Sequence, residues 1–192
     1  MEETDATAIA RAQNGDSDAF RTLVERHGRN VFRLAFRMTG NETDAEDIVQ
    51  ETFLRAFKQI QRYESRSSFG TWLYRIAANC SLDLIRVRKT RNEATAALPA
   101  TEEEFDLMQK IASDAPGPDR LAVSREVQQR MASAMAELSQ QERTAFVLRH
   151  FEGQSIEQIS GILGVGGNAA KHSIFRAVQK LRRALEPVVE AV

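Results

Sequence analysis

Ser155-Ile-Glu-Gln-Ile-Ser-Gly-Ile-Leu-Gly164-Val-Gly-Gly-Asn168-Ala-Ala-Lys-His-Ser-Ile-Phe-Arg176 is the stretch on which the reading of the fold turns. Ser155 stands where a side chain caps a helix, and Ile156, Ile159 and Leu163 line one side of the short helix after it. Gly164-Val165-Gly166-Gly167 predicts a tight turn. A last helix is then expected from about Asn168 to Glu186, stopping before Pro187. Ala170, Ile174, Ala177, Val178, Leu181 and Leu185 form its apolar stripe. At about 100° per residue, Asn168, Lys171, His172, Arg176, Gln179 and Arg183 fall on the opposite side. A lone basic amphipathic helix is most simply a solvated surface helix. A short preceding helix, a glycine turn and one-sided charge together predict a helix-turn-helix instead. Its second helix would enter the major groove, early residues reading base edges and later ones touching phosphates.

The bulk numbers fit that picture once the charge is mapped along the chain. The 192 residues carry a net charge of −1, which is unusual for a nucleic-acid binder. The average hides segregation. Lys171, Arg176, Lys180, Arg182 and Arg183 lie within one acid-free stretch, and Arg86, Arg88, Lys89 and Arg91 form a second basic cluster. Between them Glu102, Glu103, Glu104, Asp106, Asp114 and Asp119 face a single nearby lysine, Lys110. Few glycines and prolines, and many Leu, Ala, Glu, Arg and Gln, predict helix throughout. The one cysteine, Cys80, excludes an internal disulfide framework and fits a reducing compartment. No apolar run is long enough to span a bilayer, and Met1-Glu2-Glu3 lacks the basic start of a signal peptide, so a cytoplasmic protein is expected.

Working toward the amino terminus, helices are predicted from Ala19 to Met38, from Thr43 (in a capping-box spacing with Glu46) to about Arg62, and from Phe69 to Lys89, with a short leading helix from Ala6 to Gln13. The fold class is therefore all-α, two small helical domains joined by a flexible acidic linker. The boundaries fall at 1–92, 93–118 and 119–192, because Pro99 and Pro116-Gly117-Pro118 interrupt helix between them. One weak helical turn is expected near Phe105 to Ile111. The second domain opens with a helix from Asp119 to Leu138, followed by one that Ser139 and Glu142 cap and that reaches Phe151.

Two faces of the first domain stand out. On the second helix, Asp47, Gln50, Glu51 and Lys58 surround Leu54 on the side away from the apolar stripe, a composition that suits a protein contact as well as an ordinary solvated face. On the third, Arg75, Asn79, Asp83 and Arg86 form a stripe, with Tyr63, Arg66, Ser67 and Ser68 in the preceding loop. Amides, arginines and aromatics are the components of a single-strand binding surface. Equally, Phe69 and Trp72 read as core and Asp83–Arg86 as an intrahelical ion pair.

These residues resemble a known family, the extracytoplasmic-function (ECF) RNA polymerase sigma factors. Asp44-Ala-Glu-Asp-Ile-Val-Gln-Glu-Thr-Phe-Leu-Arg-Ala-Phe57 is similar to the family's polymerase-binding helix. Phe69-Gly-Thr-Trp-Leu-Tyr-Arg-Ile-Ala-Ala-Asn79 is similar to its promoter-melting helix. Leu138-Ser-Gln-Gln-Glu-Arg-Thr-Ala-Phe-Val-Leu-Arg149, with the helix-turn-helix after it, resembles the domain that reads the minus-thirty-five element. The resemblance implies that Asp47, Gln50, Glu51, Leu54 and Lys58 grip the coiled coil of the polymerase's largest subunit, the second domain meeting the flap. It implies that Tyr63, Arg66, Ser67, Trp72, Arg75, Asn79, Asp83 and Arg86 serve the minus-ten element, capturing unpaired bases. Asn168, Lys171, His172, Arg176, Lys180 and Arg183 would serve the minus-thirty-five element on duplex DNA. It further implies an anti-sigma partner, no cofactor and no metal. The chain departs from the family at Gly166-Gly167-Asn168, at Ala169-Ala170, and at Ser173, where an arginine is frequent; Asn168 is the expected substitute cap.

Two other classes are weighed against this. A stand-alone helix-turn-helix regulator explains the second domain and leaves the first without a task. An enzyme is poorly supported: His27, His150 and His172 are scattered, no Cys/His spacing suits a metal, and the only glycine-rich turn follows a helix rather than a strand.

Overall fold

The apolar stripes close two separate helical units in the computed structural model, which describes residues 4–94 and 130–189, the side chains of 89–94 and 187–189 excepted. The chain divides between Thr95 and Ala96. No strand occurs among the described residues. The 93–118 linker with its acidic strip, the turn expected near Phe105 to Ile111 and the start of the helix expected from Asp119 lie outside the described residues, apart from the first two linker residues. The Lys89 and Arg91 side chains lie outside them too.

The first unit contains α1 (Asp5–Gln13), α2 (Ser17–Thr39), α3 (Glu42–Gln59), a 3-10 turn (Ile60–Arg62) and α4 (Phe69–Ala94). Local chemistry sets each boundary. Thr4 caps α1, and the Asp16 carboxylate accepts from the Asp18 and Ala19 N–H groups to start α2. Gly40 ends α2 at φ 71, a left-handed conformation that glycine adopts without steric penalty. The chain re-enters helix at once, so the cap of α3 is Asn41, whose side chain accepts from the Asp44 N–H. Thr43, the expected cap, lies inside the first turn. The Ser68 hydroxyl accepts from the Thr71 N–H, 3.1 Å away, to open α4, which runs past the expected stop at Lys89.

Helices α2, α3 and α4 pack pairwise, with α1 against α2. Leu23, Leu34, Ile48, Thr52, Leu73 and Ala77 are buried where they meet. Each large aliphatic side chain there contributes about 1.5–3 kcal/mol. Asp44, buried at the start of α3, accepts from Arg88 Nη2 of α4 at 2.6 Å, and its other oxygen lies 2.5 Å from Arg88 Nη1 as an ion pair. This ties the amino-terminal end of α3, where a negative charge is favoured, to α4.

The described residues of the second unit begin with helical backbone at 130–136 and continue through α5 (Gln140–His150), α6 (Ile156–Leu163) and α7 (Gly167–Val189). Both expected capping signals are complete boxes: Ser139 with Glu142, and Ser155 with Gln158. Gly164 ends α6 at φ 65. The first backbone bond of α7 runs from the Ala170 N–H to the Gly166 carbonyl. Gly166 therefore occupies the cap position, and Asn168, expected as a cap, sits in the first turn. At its other end α7 continues past Pro187 to Val189, beyond the expected stop at Glu186. Ala134, Leu138, Ala177 and Leu181 form a buried cluster, flanked by Met131, Met135, Phe146 and Ala184.

Glu142 joins α5 to α7. Only 4% exposed, it accepts from the Ser139 N–H at 3.0 Å and from Lys180 Nζ at 2.7 Å, with Arg176 Nε 3.4 Å away. Burial pushes the Glu142 carboxyl up, but the bonds from Lys180 and Ser139 outweigh it and hold the group below its ordinary value. A carboxylate with a lowered folded value stabilises above its unfolded pKa and loses that contribution as the pH falls through the folded one. Glu142→Gln should therefore destabilise the second unit by about 1–2 kcal/mol at neutral pH, the cations being half solvated. In urea unfolding the gap from the unsubstituted chain should be full above pH 4.5 and narrow below it. A gap independent of pH would refute this account of Glu142.

Candidate polymerase and promoter surfaces

The apolar stripe of α3 faces its neighbours, so the rest of the helix is left to solvent. Asp47, Gln50, Leu54 and Lys58 are exposed there and Glu51 is half-buried, all on one face at helical spacing. Leu54 is 48% exposed, and Phe57, which the sequence reading leaves out, is 50% exposed beside it. The Phe57 ring packs edge-on against Phe20 at 5.0 Å, which holds its outer part in place. Its neighbours in the sequence pattern, Phe53 and Ala56, are buried, so an aromatic beside them reads as core until the helix is oriented. The surface is an apolar centre of Leu54 and Phe57 rimmed by Asp47, Gln50, Glu51 and Lys58, the anatomy of a modest protein contact.

Along α4, Arg75, Asn79, Asp83 and Arg86 are exposed and Trp72 is half-buried, so the structure brings the expected stripe together on one side. Asp83 pairs with Arg86 at 3.4 Å, the intrahelical ion pair the spacing allowed. Asp83 also lies 4.0 Å from Arg55, which binds Glu51 at 2.5 Å. Alternating charges thus run from the outer face of α3 to that of α4.

The loop before α4 corrects one expectation. Tyr63, expected to capture bases, is only 8% exposed. Its hydroxyl donates to the Ser67 carbonyl at 2.7 Å, and its ring lies 5.5 Å from Phe69 and 5.2 Å from Trp72. Burial pushes its phenol above the ordinary value. Tyr63 therefore shapes the loop from inside and offers no free ring face. Arg66 and Ser67 are exposed at the loop's tip, Arg66 beside Glu64 at 2.6 Å. Ser65 holds φ 53, an uncommon conformation for a residue with a Cβ, which bends the chain between Tyr63 and Ser67.

On α7, Asn168, Lys171, His172, Arg176, Lys180 and Arg183 are all exposed. Arg176 and Lys180 lie toward α5 and share Glu142, so their charges are partly committed within the unit. Phe175 is 60% exposed and sits on the Asn168–His172–Gln179 side of the helix. The sequence reading missed it; its offset from Ala170 and Ala177, both buried, was the available signal. Val178, read as part of the packing stripe, is 38% exposed. Ser173 is fully buried, accepting from Gln141 Nε2 at 3.1 Å and donating to the Ala169 carbonyl at 2.9 Å. It belongs to the packing side of α7, inside the unit.

Among the described residues, no group of His, Cys, Asp and Glu is placed to hold a metal ion. No helix there is long and apolar enough to cross a membrane.

Comparison with known proteins matches these two units to two family descriptions. Residues 23–91 match Sigma-70 region 2, and residues 128–181 match Sigma-70, region 4. The chain is 33% identical over 177 residues to the ECF RNA polymerase sigma factor SigW of Bacillus subtilis, covering 92% of this chain and 94% of that one. It is 30% identical to the ECF RNA polymerase sigma-E factor of Escherichia coli, covering 97% and 96%. Among solved structures it is similar to CnrH in complex with the cytosolic domain of CnrY, with a TM-score of 0.68 and 26% identity, covering 96% of this chain and 99% of that one. The same fold occurs in RpoE of Bartonella quintana, solved with the anti-sigma factor NepR, with a TM-score of 0.65 and 21% identity over 87% of this chain and 96% of that one. The chain belongs to the ECF group of RNA polymerase sigma factors.

Proposed function

We propose that this sigma factor uses three separate surfaces: one for polymerase, one for unpaired promoter DNA and one for duplex promoter DNA. The observation that carries this reading is that the outward residues of α3, of α4 with its preceding loop, and of α7 form three patches of different chemistry. Asp47, Gln50, Glu51, Leu54 and Lys58, with Phe57 added, dock on the coiled coil of the largest polymerase subunit, and the second unit meets the flap. Trp72, Arg75, Asn79, Asp83 and Arg86, with Arg66 and Ser67 in the loop, receive the non-template strand of the minus-ten element. Asn79 supplies an amide that both donates and accepts, suited to a base edge; the arginines supply charge for phosphates.

Asn168, Lys171, His172 and Phe175 enter the major groove at the minus-thirty-five element, with Arg176, Lys180 and Arg183 toward the backbone. An exposed phenyl ring there suits the methyl group of thymine, the one apolar feature of the groove floor. We assign the unit boundaries at 1–92, 93–118 and 119–192 to these roles, the linker threading toward the polymerase cleft. Action in the cytoplasm, control by an anti-sigma protein and the absence of catalysis by the chain itself belong to the same reading.

Leu54→Asp should reduce binding to core polymerase at least tenfold, because it puts a charge at the apolar centre of the contact. Circular dichroism and unfolding should be unchanged; undiminished polymerase binding would refute the α3 assignment. Lys171→Ala with Arg183→Ala should flatten the dependence of log affinity on log salt by about 1.8, at about 0.9 for each phosphate no longer neutralised. Phe175→Ala should weaken binding to the preferred promoter and leave that slope as it was. Salt titrations of promoter binding by the holoenzyme read both. An unchanged slope in the first variant would remove α7 from the DNA.

A further inference from the structure

The 3-10 turn Ile60–Arg62 is the joint of the first unit. On one side ends α3, with the polymerase face; on the other begins the loop that leads to α4. Gln13, the last residue of α1, reaches across this joint. Its Nε2 donates to the Ile60 carbonyl and to the Tyr63 carbonyl, each at 3.0 Å. Those carbonyls mark the two ends of the turn, and the Tyr63 N–H also bonds to the Ile60 carbonyl, at 3.1 Å. The Gln61 side chain returns a bond to the Gln13 carbonyl. One amide therefore spends both its donors on fixing the backbone where the loop departs.

From there the loop is tied at each step. The Tyr63 hydroxyl holds the Ser67 carbonyl, Ser65 bends the intervening chain, and Ser68 caps α4. The other end of α1 is anchored as well. Asp5 accepts from Arg26 at 3.1 Å and lies 2.7 Å from His27 Nε2. The His27 ring in turn packs edge-on against Phe69, at 5.3 Å. Ala8, Ile9 and Ala12 are buried along the helix between these ties. So α1 reaches the first residue of α4 through His27 and the start of the loop through Gln13.

We infer that α1 is a brace for strand capture and that Gln13 is a positioning residue, which touches no DNA and presets the loop 63–68 by holding the Ile60 and Tyr63 carbonyls. The inference rests on the proposed role of this loop and α4 in the minus-ten element. With the loop preset, the ordering cost of binding a single strand is met in the folded protein rather than on promoter contact. Without the amide donors the two carbonyls turn to solvent and the loop samples other forms. Initial association of holoenzyme with duplex promoter, set by α7 and by the α3 contact, does not depend on this joint.

The test uses full-length protein assembled with core polymerase. The probe is a promoter fragment from a start site that this holoenzyme uses, its non-template minus-ten strand left unpaired; the intact duplex serves for comparison. Gln13→Glu keeps the shape and removes both donors, and Gln13→Met removes them without adding charge. Each should weaken capture of the unpaired fragment and slow open-complex formation by about tenfold, the effect of losing one to two net hydrogen bonds. Core affinity and initial duplex binding should stay within about twofold. Undiminished capture in both variants, or an equal fall in capture and core affinity, would overturn the inference. Asn79→Ala in the same assay separates the two levels. If Asn79→Ala weakens capture while both Gln13 variants are silent, only the brace falls; if all three are silent, the reading of α4 as the strand surface falls with it.

Discussion

Burial of a single stripe on each helix is the constraint on which everything else rests. In the first unit α2, α3 and α4 pack pairwise, and Ile48, Thr52, Phe53 and Ala56 commit one side of α3 to that packing. The remaining sides of α3 and α4 then have nowhere to go but outward. A bundle this small has no spare core to accommodate the outer residues, because surface outgrows volume in small domains. The same geometry therefore builds the fold and displays the contacts. Moving Leu54 or Asn79 by one position would carry it from its outer face toward the helix's flank, about 100° away.

In the second unit the equivalent constraint is electrostatic as well as apolar. Glu142 begins α5, yet it also holds Arg176 and Lys180 of α7. A buried carboxylate demands partners, and here the partners are residues of α7. Helix α7 is thus held against α5 by its own cations, whose charge is partly committed to Glu142. Lys171, His172 and Phe175 on the other flank lie outside this network. The division between flanks gives α7 one side tied to α5 through Glu142 and one side left to solvent, the side proposed above for the groove.

Much of this was legible in the sequence, and the reasons are specific. The caps at Ser139 and Ser155, the glycine turn at Gly164 and the apolar spacing along α2, α3 and α7 are local signals, and they appear where the spacing put them apart from the exposed Val178. The departures have long-range or stereochemical causes. Asn41 replaced Thr43 as a cap because the left-handed Gly40 is followed at once by an extended residue, Asn41, two positions before Thr43. Tyr63 became internal because Phe69 and Trp72 close over it, a contact no periodicity predicts. Phe57 and Phe175 are aromatics on outward faces, where composition alone suggests core. The tie from Gln13 to Ile60 and Tyr63 spans some fifty positions of sequence and left no local trace.

The central claim is that these surfaces act together to start transcription. It is tested most directly by adding the purified chain, free of any inhibitor, to sigma-free core polymerase on genomic DNA and mapping the transcript ends. The account predicts discrete new start sites, each preceded by a shared pair of upstream elements. Stable assembly with core polymerase but no promoter-dependent transcript would contradict it.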